Sequence, residues 1–150
     1  IYFHALKHYY AEGFQYCEVG DGDELWENLS FDSILNAHKN VYMLMKLFHE
    51  QERLHMIWGN HDMVYKDPKY VEKHLSTYFD EKTGKVVELF KDIKYHEGVI
   101  LKHTDSGQEV FLTSGTAGRV TGMKDQCGSY FAPSAIQVSK VAISSGVTLL

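Results

Sequence analysis

The chain has 150 residues, 20 of them Asp or Glu against 15 Lys or Arg, for a net charge of −5 at neutral pH. That length suits one ordinary domain, and 44% hydrophobic with 13% aromatic content is too apolar for a disordered segment. Mild acidity without a Lys/Arg-rich stripe argues against sequence-independent binding to nucleic acid or to an anionic membrane surface. No apolar run reaches the roughly 20 residues of a bilayer span, and the first residues carry no signal-peptide pattern.

In chain order, residues 1–12 predict an amphipathic helix, with Ile1, Ala5, Leu6, Tyr9 and Tyr10 at three- and four-residue spacing and Gly13 as a stop. Phe14 to Val19 alternates and is rich in aromatic and β-branched residues, which predicts a strand ending at Gly20. From Asp32 to about Glu50 the apolar residues Ile34, Leu35, Val41, Leu44, Met45 and Phe48 keep a helical period, and Ser30 or Asp32 is placed to cap that helix. Leu54 to Trp58, closed by Gly59, predicts a second buried strand, and the resulting β-loop-α-β order points to an α/β fold with parallel strands.

Asp67-Pro68 is a helix-start signal, and Val99–His103 with Glu109–Thr113 around Thr104-Asp105-Ser106-Gly107 predicts a β-hairpin. Beyond Thr113 the composition changes: all nine histidines and all but one of the acidic residues precede position 114. Residues 1–113 are therefore expected to form the domain, with 114–150 an atypical Gly/Ser-rich tail. The two cysteines, Cys17 and Cys127, lack metal-ligand spacing, so Cys17 is expected as a small buried strand residue and a reducing cytoplasm as the setting.

Two strand-to-loop junctions carry the chemistry. Val19-Gly20-Asp21-Gly22-Asp23-Glu24 and Ile57-Trp58-Gly59-Asn60-His61-Asp62 each place ligand-type side chains just past the carboxyl end of a predicted buried strand, where open α/β sheets bind ligands. Carboxylate, amide oxygen and imidazole together suit hard or borderline divalent metals. On local grounds alone Asp21 and Asp23 would also pass as turn residues. Trp26 and Trp58 read as packing residues and His38 and His49 as solvent-facing or partly buried, while His96 and His103 flank a predicted strand.

These junctions resemble the calcineurin-like metallophosphoesterases, which carry G-D-x-x-(D/E) after one strand and G-N-H-(D/E) after the next. Here Gly20-Asp21-Gly22-Asp23-Glu24 and Gly59-Asn60-His61-Asp62 stand in that order, 39 residues apart between Asp21 and Asn60. The continuation Glu24-Leu25-Trp26 is most similar to the branch that includes UDP-diacylglucosamine pyrophosphatases and related bacterial phosphatases. The resemblance implies a sandwich of two mixed β-sheets flanked by helices, a pair of divalent ions (Mn, Fe, Zn or Mg undistinguished) and hydrolysis of a phosphorylated small-molecule or protein substrate. It further implies that Asp21 bridges the two metals, that Asn60 binds one of them, that His61 stabilises or protonates the leaving oxygen and that Glu24 orients His61. Such a centre clamps a phosphoryl group and acidifies a bound water.

Departures accompany the match. The family's D-x-H motif would precede the opening helix, so Ile1 reads as a cut edge. After the strand Glu109–Thr113 the chain has Ser114-Gly115-Thr116 where the family has histidines. Three explanations compete: a fragment with an altered or frameshifted end, a degenerate non-catalytic binding or structural module, or a site completed by other histidines. The expected activity of the chain as it stands is weak or absent, with at most one poorly held metal.

Overall fold

The computed structural model describes residues 1–23, 25, 27 and 30–114, together with the backbone of 140–143 and 147–149. Trp26, Cys127 and the Gly/Ser-rich 115–139 lie outside the described residues. The periodic apolar segments become α1 (Tyr2–Ala11), α2 (Phe31–Ala37), α3 (Lys39–Glu50) and α4 (Pro68–Leu75). The β-rich segments become β1 (Gln15–Val19), β2 (Leu54–Ile57), β3 (Thr77–Asp80), β4 (Lys85–Glu88), β5 (Tyr95–His96), β6 (Gly98–His103), β7 (Glu109–Thr113), β8 (Lys140–Ile143) and β9 (Val147–Leu149). The class is α/β, as expected.

β1 and β2 run parallel with Tyr16 opposite Leu54 and Glu18 opposite Met56. β5 adds in parallel to β2, and β8 adds antiparallel to β1, giving the order β5-β2-β1-β8. The predicted hairpin forms as β6–β7, with β9 on the other edge of β6. Side chains on opposite faces of the larger sheet enter two separate cores, as a period of two requires. Tyr16, Leu54 and Met56 join Leu6, Leu35, Met45, Phe48 and Leu75 from the helices. Cys17, Val19 and Ile57 pack instead against Val99, Leu101 and Leu112 of the β6–β7 hairpin. Covered on both faces, β1 buries four successive residues from Tyr16 to Val19, so the expected one-sided alternation gives way to continuous burial. Cys17 is fully buried in this strand, and burial pushes its thiol up to about 12.

The sequence reading of α1 needs correction. Leu6 is its buried residue, and Tyr2, Phe3 and Tyr10 pack beside it, whereas Ile1, Ala5 and Tyr9 face solvent. Only one of the two overlapping three-and-four rows can point inward on a helix, and the bulkier one does.

The single helix expected over 32–50 is two. His38, at φ −120° and ψ 30°, separates α2 from α3 while its carbonyl accepts from Val41 and Tyr42 N–H. Phe31 and Leu35 of α2 and Tyr42 and Met45 of α3 all turn into the core on either side of this break. Ser30 occupies the N-cap position of α2 without a side-chain cap bond. Asp67 does cap α4, its carboxylate accepting the Lys69 N–H at 3.0 Å.

Arg53 fastens the start of the sheet to the helices. Its guanidinium donates to the Phe14 carbonyl at 2.8 Å and lies over the Tyr10 and Phe48 rings. The β3–β4 hairpin is tied to α3 by a Lys39–Asp80 ion pair at 2.7 Å and by Lys46 Nζ donating to the Glu88 carbonyl. Among the described residues no helix is long and apolar enough to cross a membrane.

Candidate functional site

Parallel pairing of β1 with β2 aligns Val19 with Ile57, so the loops that follow leave the sheet side by side. The turn out of β1 is left-handed at two successive residues, Gly20 (φ +75°) and Asp21 (φ +58°). Asp tolerates this region better than most residues, and a strained backbone at a strand end is a familiar mark of binding loops.

The result is a close approach between the two motifs. The Asp21 carboxylate accepts the His61 N–H at 2.9 Å. A Cβ at Gly59 would lie 2.2 Å from Asp21 Oδ1, and one at Gly20 would lie 2.9 Å from the Gly59 backbone and from Ser114 Cβ. Both glycines are there because nothing larger fits. Ser114, at the end of β7, is buried and completes this junction of three strand ends. The structure thus brings Asp21, Asn60 and His61 into one region, whereas Glu24 lies outside the described residues. His96 sits on β5 and is exposed, and His103 is spent in the hairpin turn, its Nδ1 accepting the Ser106 N–H at 3.2 Å.

On the helix side of the same loops lies a cavity of about 460 Å³. Three carboxylates line it: Glu18 from β1, Asp23 from the first loop and Asp62 from the second. All three are buried, and hydroxyl or amide donors orient them. The Tyr16 hydroxyl donates to Glu18, and Tyr2 and Tyr16 share a bond of 2.7 Å. The Tyr42 hydroxyl donates to Asp23 Oδ1 and the Tyr65 hydroxyl to Asp23 Oδ2 at 2.6 Å. Asp62 accepts the Gly59 N–H, which closes the second loop on itself. Burial and nearby negative charge together push the Tyr16, Tyr42 and Tyr65 hydroxyls far above the ordinary tyrosine range, so they act as donors at any working pH.

None of these tyrosines stands out in the sequence. The available signal is Glu18 itself, a charged residue in the strand segment Gln15-Tyr16-Cys17-Glu18-Val19 that is otherwise built for burial.

Asp62 is pushed up to about 6, first by burial and then by the charges of Asp23 and Asp21, against the opposing pull of the Gly59 and Gly22 N–H groups. In the unfolded chain an Asp titrates near pH 4. Between those values the folded protein holds more protons than the unfolded one, so without added metal Asp62 makes stability fall as pH rises through this window. The expected loss is at most about 3 kcal/mol. Urea unfolding from pH 4 to 7.5 measures it, and the fall should shrink in Asp62→Asn; an identical profile in that variant would remove Asp62 as the cause.

Comparison with known protein families, with curated protein sequences and with solved structures returns no match for this chain.

Proposed function

We propose that the chain is a metal-dependent phosphoester hydrolase of the calcineurin-like type whose metal site is only partly furnished. The observation that supports this most is the approach of Asp21 to Gly59-Asn60-His61 across adjacent parallel strands, with the Asp21–His61 bond at 2.9 Å. The two cores, one under the helices and one under the β6–β7 hairpin, on opposite faces of the larger sheet, suit the sandwich that the resemblance implies.

The donor set fits one weakly held cation better than a pair. Asp21 offers a carboxylate and Asn60 an amide oxygen, and among the described residues no three His, Cys, Asp or Glu side chains gather as a metal-holding group. When bound, such a cation would supply Lewis-acid polarisation of a phosphoryl oxygen and a more acidic water. In this reading Asp21 and Asn60 hold the cation and His61 gives a proton to the departing oxygen. Glu24 orients the imidazole. The substrate is a phosphorylated small molecule or protein, and the setting is the cytoplasm.

Ser114 favours a second reading, a non-catalytic binding module on the same scaffold. Its buried hydroxyl stands at the strand end where the resemblance calls for an imidazole, and a hydroxyl is a poor substitute as a metal ligand.

An aryl phosphate assay with Mn²⁺ separates the two. The hydrolase reading expects weak, metal-dependent turnover that Asp21→Asn and His61→Ala each lower about a hundredfold or more, together with a single weak site by metal titration. Turnover equal in parent and both variants would overturn the assignment, and turnover absent from the folded parent would leave the binding module.

A further inference from the structure

We infer that the cavity beneath the two loops is a binding site for an organic cation, a primary ammonium carried on a short aryl or alkyl stem. At about 460 Å³ it falls within the usual span of roughly 300–1,000 Å³ for small-molecule sites. Three carboxylates, Glu18, Asp23 and Asp62, dominate its polar wall, with the His38 imidazole as the one basic group and no lysine or arginine among the described lining residues. The tyrosines donating to Glu18 and Asp23 hold these carboxylates in place before any ligand arrives, which reduces the ordering a ligand would have to impose.

The second observation is independent of the carboxylates. Tyr95 lines the same cavity, and its hydroxyl oxygen is buried without a hydrogen-bond partner. Native proteins rarely leave such a group unpaired, and the exceptions call for an explanation. The register supplies one: Glu18 stands opposite Met56 and Met56 opposite Tyr95, so the three project in one row across the sheet toward the cavity. Asp23, Asp62, Tyr42 and Glu18 all act electrostatically on the Tyr95 hydroxyl, which places it among the carboxylates and not apart from them.

An ammonium group has three donors and no acceptor. It can give one to the Tyr95 oxygen and the others to carboxylates, as charge-assisted bonds. The stem then lies against the Tyr2 and Tyr42 rings and the Met45 and Met56 thioethers, surfaces that favour a cation and its apolar attachment.

The test uses the 150-residue chain, phenethylamine as probe, and neither metal nor phosphoester, so its failure is separate from any failure of the hydrolase reading. Calorimetric titration at pH 7.5 should give a dissociation constant of about 1 mM or tighter. The neutral phenethyl alcohol and the anionic phenylacetate should bind at least tenfold more weakly. Glu18→Gln should weaken phenethylamine about tenfold. Tyr95→Phe should weaken it several-fold while leaving the free protein at least as stable, because the hydroxyl it removes has no partner to lose. If Glu18→Gln does not fold, Tyr95→Phe decides alone. Absence of phenethylamine binding, equal binding of the alcohol, or unchanged affinity in the folded variants would overturn the proposal.

Discussion

Asp23→Ala is expected to destabilise the protein by roughly 2–6 kcal/mol, because one truncation strands two buried hydroxyls, and each such orphan costs about 1–3 kcal/mol. Those hydroxyls belong to Tyr42 and Tyr65, 6% and 1% exposed, and each donates to a different oxygen of the same carboxylate. Relief of the repulsion between Asp23 and Asp62 offsets part of the loss. Urea unfolding measures the total. Adding Tyr42→Phe and Tyr65→Phe to the alanine variant should restore a large part of it, since a polar group replaced together with its partner leaves nothing unpaired. A loss below about 1 kcal/mol for Asp23→Ala, or no recovery in the triple variant, would show that the two tyrosines find other acceptors.

Gly59→Ala should be as damaging at the level of the site. A methyl group there would sit 2.2 Å from Asp21 Oδ1, 2.6 Å from its Cγ and 2.8 Å from its backbone nitrogen. The carboxylate can swing aside, but the backbone of Asp21 cannot without breaking the left-handed turn. Overpacking of this kind costs about 3 kcal/mol when backbone must move. The larger consequence is functional: pushing the first loop away from the second breaks the Asp21–His61 bond. Mn²⁺ binding by titration should disappear in this variant even under conditions where it remains folded by circular dichroism. Retained binding at parental affinity would mean that the approach of the two loops is not what holds the cation.

The elements best legible in the sequence are those whose local chemistry and burial agree. β1, β2, the Asp67-capped α4 and the β6–β7 hairpin all lie within a residue or two of the expected bounds, each marked by a breaker or cap that also matches its tertiary role. The break at His38 had no such mark. Ala37-His38-Lys39 contains neither glycine nor proline, and the apolar residues on both sides of it keep one helical period, so nothing local records the break. The β3–β4 hairpin did carry a signal, Thr83-Gly84 between two β-rich runs, yet each strand is only four residues long, and while β3 alternates, β4 is mostly exposed.

The candidate site divides in the same way. Asp21, Asn60 and His61 follow from loop motifs, because the chemistry lies in consecutive residues at a strand end. The carboxylate–tyrosine cavity does not, because its members come from α1, β1, α3, β5 and two loops, and only the register of the sheet puts them together. Asp62 shows the limit sharply. It ends a recognisable motif, while its altered acidity comes first from burial and then from the charges of Asp23 and Asp21 on the other loop.

The order of strands in the larger sheet also constrains how the molecule comes into being. β1 precedes β2 and β8 in the chain, yet it lies inside the sheet, between them. Its neighbour β2 is made soon afterwards, but β8, residues 140–143, emerges far later than either. Until then one edge of β1 presents open N–H and C=O groups on an otherwise folded intermediate, the kind of edge that invites pairing with another chain. The second edge of β1 is sealed long after its first, and yield from the ribosome therefore depends on how long that edge stays open.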